Sequence, residues 1–221
     1  MNQIKHIIWD WNGTLVDDAW LFVDLMNLVL KKRNLATINV KKYQKTFCFP
    51  LEKYYKRLGF NFNDEPYDVP ATEFIALYNK EKYRPKLYPG ARNILTKLCN
   101  QKIKNYLLSA QNHESLLELV RFYKIGHFFE LIQGTDNIHA RGKELLAQNI
   151  MTSQKIKSSE VLFVGDTNMD VEIAQANKAK MFALTFGHQN KDRFPQHERI
   201  TLVHTLTQLY SCLFGESVES R

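Results

Sequence analysis

Asp10 closes the apolar run Ile7-Ile8-Trp9 and opens Trp11-Asn12-Gly13-Thr14-Leu15, while Asp166 closes Val161-Leu162-Phe163-Val164-Gly165 and opens Thr167-Asn168-Met169-Asp170. A single aspartate after an apolar run ordinarily serves as a turn or helix-cap residue. Two of them, each ending a strand-like run, would converge at one rim of a sheet, where their charges repel unless a cation neutralises them. Magnesium suits such a place: it prefers hard oxygen ligands and is held by one or two carboxylates plus a substrate phosphate. Lys143, in Ala140-Arg141-Gly142-Lys143, could add positive charge beside a carboxylate nucleophile and a phosphoryl group. It is not a P-loop lysine, because GxxxxGK would require glycine where Asn137 stands and Ser or Thr where Glu144 stands.

These residues need elements that bring them together. Short apolar runs recur at Ile7 to Asp10, Ile103 to Ser109, Phe128 to Ile132, Val161 to Gly165 and Met181 to Phe186, as buried parallel strands do. Helical patterns lie between them at Ala91 to Asn100, Ser115 to Tyr123, Lys143 to Met151 and Val171 to Ala176. This alternation predicts an α/β fold with a Rossmann-like, doubly wound parallel sheet, whose strand ends gather ligands. One interval breaks the alternation. Between Asp18 and Lys86 the spacing of Trp20, Val23, Met26 and Leu30 is helical and no comparable strand run occurs. An α-helical cap inserted after the first strand follows, with core over 1–16, cap over 17–86 and core again over 87–221. The return falls at Arg84-Pro85-Lys86-Leu87-Tyr88-Pro89-Gly90, where two prolines and a glycine break helix.

Composition narrows the class. The chain has 221 residues, 44% hydrophobic and 24% charged, which places it among globular proteins and excludes global disorder. Cys48, Cys99 and Cys212 form no CxxC pair, so neither a zinc site nor a disulfide framework is expected, only reduced thiols acting as buried small hydrophobes. Asp10 interrupts any leader-like apolar run at the start, and no apolar stretch reaches the roughly 20 residues of a membrane span. A soluble cytoplasmic protein is expected.

Taken in order, Asp10-Trp11-Asn12-Gly13-Thr14-Leu15, Ser109, Lys143 and Gly165-Asp166-Thr167-Asn168-Met169-Asp170 resemble the four motifs of the haloacid dehalogenase superfamily. The resemblance is to its phosphoglycolate-phosphatase-like branch with a helical cap, and Tyr88-Pro89-Gly90 looks like that branch's return from cap to core. It implies a magnesium-dependent phosphatase in which Asp10 attacks phosphorus and forms an aspartyl-phosphate that water hydrolyses. By the same resemblance Ser109, with Ala110 beside it, bonds the phosphoryl oxygens, and Lys143 offsets negative charge around Asp10. Asp10, the Asn12 carbonyl and Asp166 bind the metal, with Asp170 as a further ligand or a support, while Thr14 and the amides near Gly13 cradle the phosphate. The implied partner is a small phosphorylated metabolite such as 2-phosphoglycolate, taken by a monomer or homodimer, with neither membrane nor nucleic acid expected.

One position departs from the family pattern. The family carries a second aspartate two residues after the nucleophile as general acid and base, and here that position is Asn12. An amide cannot exchange that proton near neutral pH, although its backbone carbonyl is unchanged. A positioned acid–base group contributes about 10²–10⁴-fold, so three readings arise. The chain is a phosphatase that favours leaving groups needing little protonation or recruits another acid, such as Asp17, Asp18 or a cap residue. Alternatively it is a phosphate-ligand-binding or signalling module with little turnover. The third, a dehalogenase, sits poorly with Asp166 and Asp170, because dehalogenases lack the metal motif.

From Lys31 to Leu58 nine basic residues face Glu52 alone, enough to steer an organophosphate anion if they border the cleft. Tyr43, Phe47, Tyr54 and Tyr55 interleave with them and could stack on bases, but with Leu51 and Leu58 they fit the spacing of a helix face and are expected in the cap core. None of the seven histidines pairs at metal-ligand spacing; His139 alone stands near Lys143 in sequence, and the rest are expected in solvent or as satisfied core residues.

Overall fold

The computed structural model describes residues 4–136 and 142–215, so His139 lies outside the described residues. Strand β1 (His6–Trp9) leads to a short strand β2 (Val16–Asp17) and then to four helices. These are α1 (Ala19–Lys31), α2 (Val40–Thr46), α3 (Leu51–Arg57) and α4 (Asp68–Glu81). Strand β3 (Lys86–Leu87) brings the chain back antiparallel to β2, pairing Val16 with Leu87 and Asp17 with Lys86. Helices and strands then alternate through α5 (Ala91–Asn100), β4 (Lys104–Asn112), α6 (His113–Phe122), β5 (Phe129–Thr135), α7 (Lys143–Ser153), β6 (Val161–Gly165), α8 (Asn168–Ala176) and β7 (Lys180–Leu184). Strand β8 (Ile200–Val203) and helix α9 (Leu206–Phe214) close the described chain.

Six strands form one sheet in the order β5-β4-β1-β6-β7-β8, parallel at every pairing. Successive side chains of a strand point to opposite faces, so unbroken apolar runs serve two cores at once. Ile7, Trp9, Leu162, Val164, Phe182 and Leu184 enter one core with α5, α6 and α9. Ile8, Val161, Phe163, Met181 and Ala183 enter the other with α7 and α8. Helices therefore cover both faces, and the predicted doubly wound sheet is the observed one. The chain moves outward from β1 through β4 to β5, then returns to β6 on the other side of β1. That reversal opens a crevice at the carboxyl ends of β1 and β6, where Asp10 and Asp166 stand.

The predicted helices are present, but β8 and α9 were not expected. Thr201 and Leu202 are exposed on β8 at the sheet edge, which leaves too short an apolar signal to read. Between β2 and β3 the helices enclose cores of their own, centred on Val23, Met26, Tyr43, Tyr54 and Tyr55 in one and on Leu21, Leu25 and Tyr78 in the other. Tyr43, Phe47, Tyr54, Tyr55 and Leu58 are buried there, as the helix-face spacing indicates. The thiols correct an expectation: all are free, but Cys99 is exposed and Cys48 and Cys212 are only partly buried. On α5 the inward position belongs to Leu98, and its neighbour Cys99 faces outward. Among the described residues no helix is long and apolar enough to cross a membrane.

Candidate active site

The Asp10 N–H donates to the Val164 carbonyl at 2.8 Å, which ties the residue after β1 to β6. Its carboxylate accepts from the Lys143 ammonium, which also donates to Asp170 Oδ1 at 2.6 Å. Lys143 is the first residue of α7, set there by Gly142 in the left-handed region with φ 92°. A cation at a helix N-terminus opposes the helix dipole, so the two carboxylates offset a local conflict as well as a buried charge. Asp170 Oδ2 accepts from the Thr167 hydroxyl at 2.7 Å and the Thr167 N–H at 3.0 Å, the geometry of a capping box at the start of α8. One carboxylate thus caps a helix and fixes the lysine that meets Asp10.

Asp166 is wholly buried and accepts from the Thr14 hydroxyl at 3.0 Å and from the His188 N–H at 2.5 Å. Gly187 permits that approach: a Cβ there would lie 2.2 Å from Asp166 Oδ2 and 2.4 Å from the Gly13 carbonyl oxygen. Asp10, Asp166 and Asp170 each place a carboxylate oxygen within 4.8 Å of the others. Three buried carboxylates around one lysine hold surplus negative charge, and the electrostatics carry its mark. Burial raises Asp10 to about 6, although Lys143 draws it down and Asp170 raises it further. Burial likewise raises Asp166 to about 8, against the pull of His188 and with the repulsion of Asp10 and Asp170. Burial opposes the Lys143 charge, but Asp10 and Asp170 outweigh it and hold the ammonium above its ordinary value. A hard divalent cation fits this oxygen-rich, electron-rich group.

Asn12 sits beside a second buried network. Its amide donates to Asp18 Oδ2 at 2.6 Å and to the Tyr78 hydroxyl at 3.3 Å. The other oxygen of Asp18 accepts from the Gly13 N–H at 3.0 Å and lies 3.1 Å from His188 Nε2. A carboxylate can only accept here, so Nε2 carries the hydrogen. Nδ1 of the same ring meets the Tyr43 hydroxyl at 2.6 Å. Burial opposes the imidazolium, but the bond to Asp18 and the charges of Asp18, Asp166 and Asp10 outweigh it and raise the His188 pKa.

A cavity of about 610 Å³ opens onto Asp10, Asn12, Ser109, Ala110 and Lys143 and extends into the helices between β2 and β3. Ser109 Oγ accepts from the Gln111 N–H at 3.0 Å. Of the catalytic, phosphate-binding and metal residues expected from the sequence, those five reach the cavity wall. Asp166, Asp170, Gly13 and Thr14 stand behind it, with the Gly13 amide committed to Asp18 and the Thr14 hydroxyl to Asp166. Neither His188 nor Tyr78 is singled out by the sequence, and Tyr43 is expected there only as a core residue of the helices, yet all three line the cavity. Phe186-Gly187-His188 follows the carboxyl end of β7, so the rule that located Asp10 also reaches His188. The nine basic residues between Lys31 and Leu58 do not line the cavity; eight are exposed and Arg33 is partly buried. They are solvated helix faces rather than a charged rim.

Comparison with known proteins agrees with this arrangement. A phosphoglycolate phosphatase of Pseudomonas fluorescens is 28% identical over 207 residues, covering 90% of this chain and 75% of the relative. One of Nitrosospira multiformis is 22% identical over 192 residues, covering 84% and 85%. A haloacid dehalogenase-like hydrolase family protein from Streptococcus pneumoniae has a similar fold, with a TM-score of 0.81 at 18% identity over 96% of this chain and 100% of that one. The haloacid dehalogenase-like hydrolase family matches residues 7–184, a span from β1 to the end of β7 that holds every motif described above, and the chain belongs to that family.

Proposed function

We propose that this hydrolase is a magnesium-dependent phosphatase that cleaves a small organic phosphomonoester through an aspartyl-phosphate on Asp10, with a core of 1–16 and 87–221 and a helical cap of 17–86. The observation that carries the proposal is Asp10 itself: a carboxylate on a cavity wall, bonded to a buried lysine within a cluster of three buried carboxylates. Relatives named phosphoglycolate phosphatase make 2-phosphoglycolate the first substrate to try.

In this reading Asp10, the Asn12 backbone carbonyl and Asp166 would hold magnesium, which when bound neutralises their charge and that of the phosphoryl oxygens. Asp170 acts through Lys143, which it orients, and through Thr167, which it caps. Ser109, the backbone at Ala110 and Lys143 receive the phosphoryl oxygens, and Thr14 and Gly13 position Asp166 and Asp18. Asp10 attacks phosphorus in line with the leaving oxygen; water then attacks the aspartyl-phosphate and restores the carboxylate. The test is phosphate release with magnesium from 2-phosphoglycolate and p-nitrophenyl phosphate. Asp10→Asn should abolish it, and turnover that persists in that variant would overturn the nucleophile. A second reading, a phospho-ligand-binding module with little turnover, draws on the Asn12 amide, which is committed to Asp18 and Tyr78 and offers no acid.

A further inference from the structure

We propose that the leaving group of the substrate is an aromatic alcohol, so that the cavity takes an aryl phosphomonoester rather than a short carboxylated one; this rests on the phosphatase reading above. Two independent observations converge on it. The first is the part of the cavity wall formed by the helices between β2 and β3, where Phe22, Phe47, Phe49, Tyr54 and Phe74 lie together. Its volume of about 610 Å³ falls inside the roughly 300–1,000 Å³ of pockets that bury whole organic ligands, and a two-carbon ester would leave most of it empty. The rings already meet in edge-to-face pairs: Phe22 with Tyr78 at 5.5 Å and Phe47 with Tyr54 at 5.2 Å. Such walls present the edges and faces that a further aromatic ring prefers. Tyr54 is 2% exposed and its hydroxyl has no hydrogen-bond partner among the described residues, so a polar ring substituent could satisfy it.

A carboxylate is poorly served in the same space. The lysines on the wall among the described residues are both paired, Lys143 with Asp10 and Asp170 and Lys82 with Glu118. Glu114 adds negative charge. With those lysines engaged, a carboxylate there would exchange its hydration for neutral donors alone.

The second observation is Asn12. Its amide hydrogens are directed at Asp18 and Tyr78, so the leaving oxygen receives no proton from the residue two places after the nucleophile. A phenol has a pKa of roughly 10 and can leave as phenolate, whereas an aliphatic alkoxide needs protonation as the bond breaks. An Asp10 oxygen bonds to phosphorus as the P–O(aryl) bond breaks, and the electron pair leaves on the phenolate, which takes a proton from solvent. Water then adds to phosphorus, the bond to Asp10 breaks, and the water's proton passes to solvent as phosphate leaves.

The experiment measures binding separately from chemistry. With magnesium present, calorimetry compares benzylphosphonate with phosphonoacetate, neither of which can be hydrolysed, and steady-state assays compare phenyl phosphate with 2-phosphoglycolate. Benzylphosphonate is expected to bind about tenfold or more tightly, the worth of one or two aromatic contacts. Phe74→Leu should weaken benzylphosphonate about threefold to tenfold and phosphonoacetate less; should that variant not fold, the wild-type ratio decides alone. Tighter phosphonoacetate with preferred turnover of 2-phosphoglycolate overturns the aryl assignment and leaves the phosphatase standing. No phosphate release from any ester, with benzylphosphonate still the tighter ligand, overturns the phosphatase and supports the aromatic preference of the cavity.

Discussion

Asn12 is the residue at which this chain departs from its family's motif, and its surroundings give a physical reason. Asp18 accepts from the Asn12 amide and the Gly13 N–H and lies against His188, so position 12 faces an acceptor and an amide suits it. An aspartate there would bring two carboxyl groups together, and such a pair retains a proton. That retained proton is what a leaving alkoxide lacks. Asn12→Asp should therefore raise kcat for alkyl phosphates by about 10²-fold and for aryl phosphates far less, measured as phosphate release at neutral pH. An equal gain on both classes, or a loss, would show that proton transfer to the leaving group does not limit turnover.

At the scale of elements, the site is assembled from the ends of strands and the starts of helices. β1 delivers Asp10, β6 delivers Asp166, α7 begins with Lys143 and α8 begins under Asp170. The turn after β7 completes it by passing Gly187 against Asp166, closer than any side chain allows. Gly187→Ala should cost roughly 1–3 kcal/mol, because its methyl group meets the backbone of Gly13 as well as the carboxylate. Urea denaturation with and without magnesium checks this: stability should fall in both, and the magnesium-dependent increment should shrink as Asp166 is displaced. An unchanged increment would mean that the turn yields without moving Asp166.

At the scale of the whole molecule, the buried carboxylates link folding to pH and, through the proposed metal site, to magnesium. Burial raises Asp10 from 3.8 to about 6 and Asp166 from 3.8 to about 8. A carboxyl group raised in the folded state binds its proton more tightly there than in the unfolded chain. Its contribution is fully present below 3.8 and is lost as pH rises through the folded values of about 6 and about 8. These groups therefore make the metal-free protein less stable as pH rises toward 8. Magnesium held by these carboxylates, as proposed above, would require their ionised form and oppose that loss, so the difference in Tm between magnesium and EDTA should widen from pH 6 to pH 8. A difference that stays constant or narrows would remove the carboxylate cluster as the metal site.

Much of this was legible in the sequence because it depends on local order. The unbroken apolar runs specify two-faced strands, the segment between Asp18 and Lys86 breaks the alternation where the helices are inserted, and Asp10 and Asp166 mark the strand ends. Thr167-Asn168-Met169-Asp170 carries its own capping pattern within four positions. Contacts between distant segments were not legible. The pairing of Lys143 with both Asp10 and Asp170 and the seat of His188 between Asp18 and Tyr43 join residues far apart in the chain. The same holds for the nine basic residues of the helical segment, which turn outward while its aromatic residues line the cavity. Periodicity tells which side chains share a face of an element, but the tertiary packing alone decides whether that face meets solvent, a core or a cavity. The sequence by itself determined the sheet, the inserted helices and the place of Asp10 at a strand end; the three-dimensional packing decided which groups surround it and what shape of molecule can reach it.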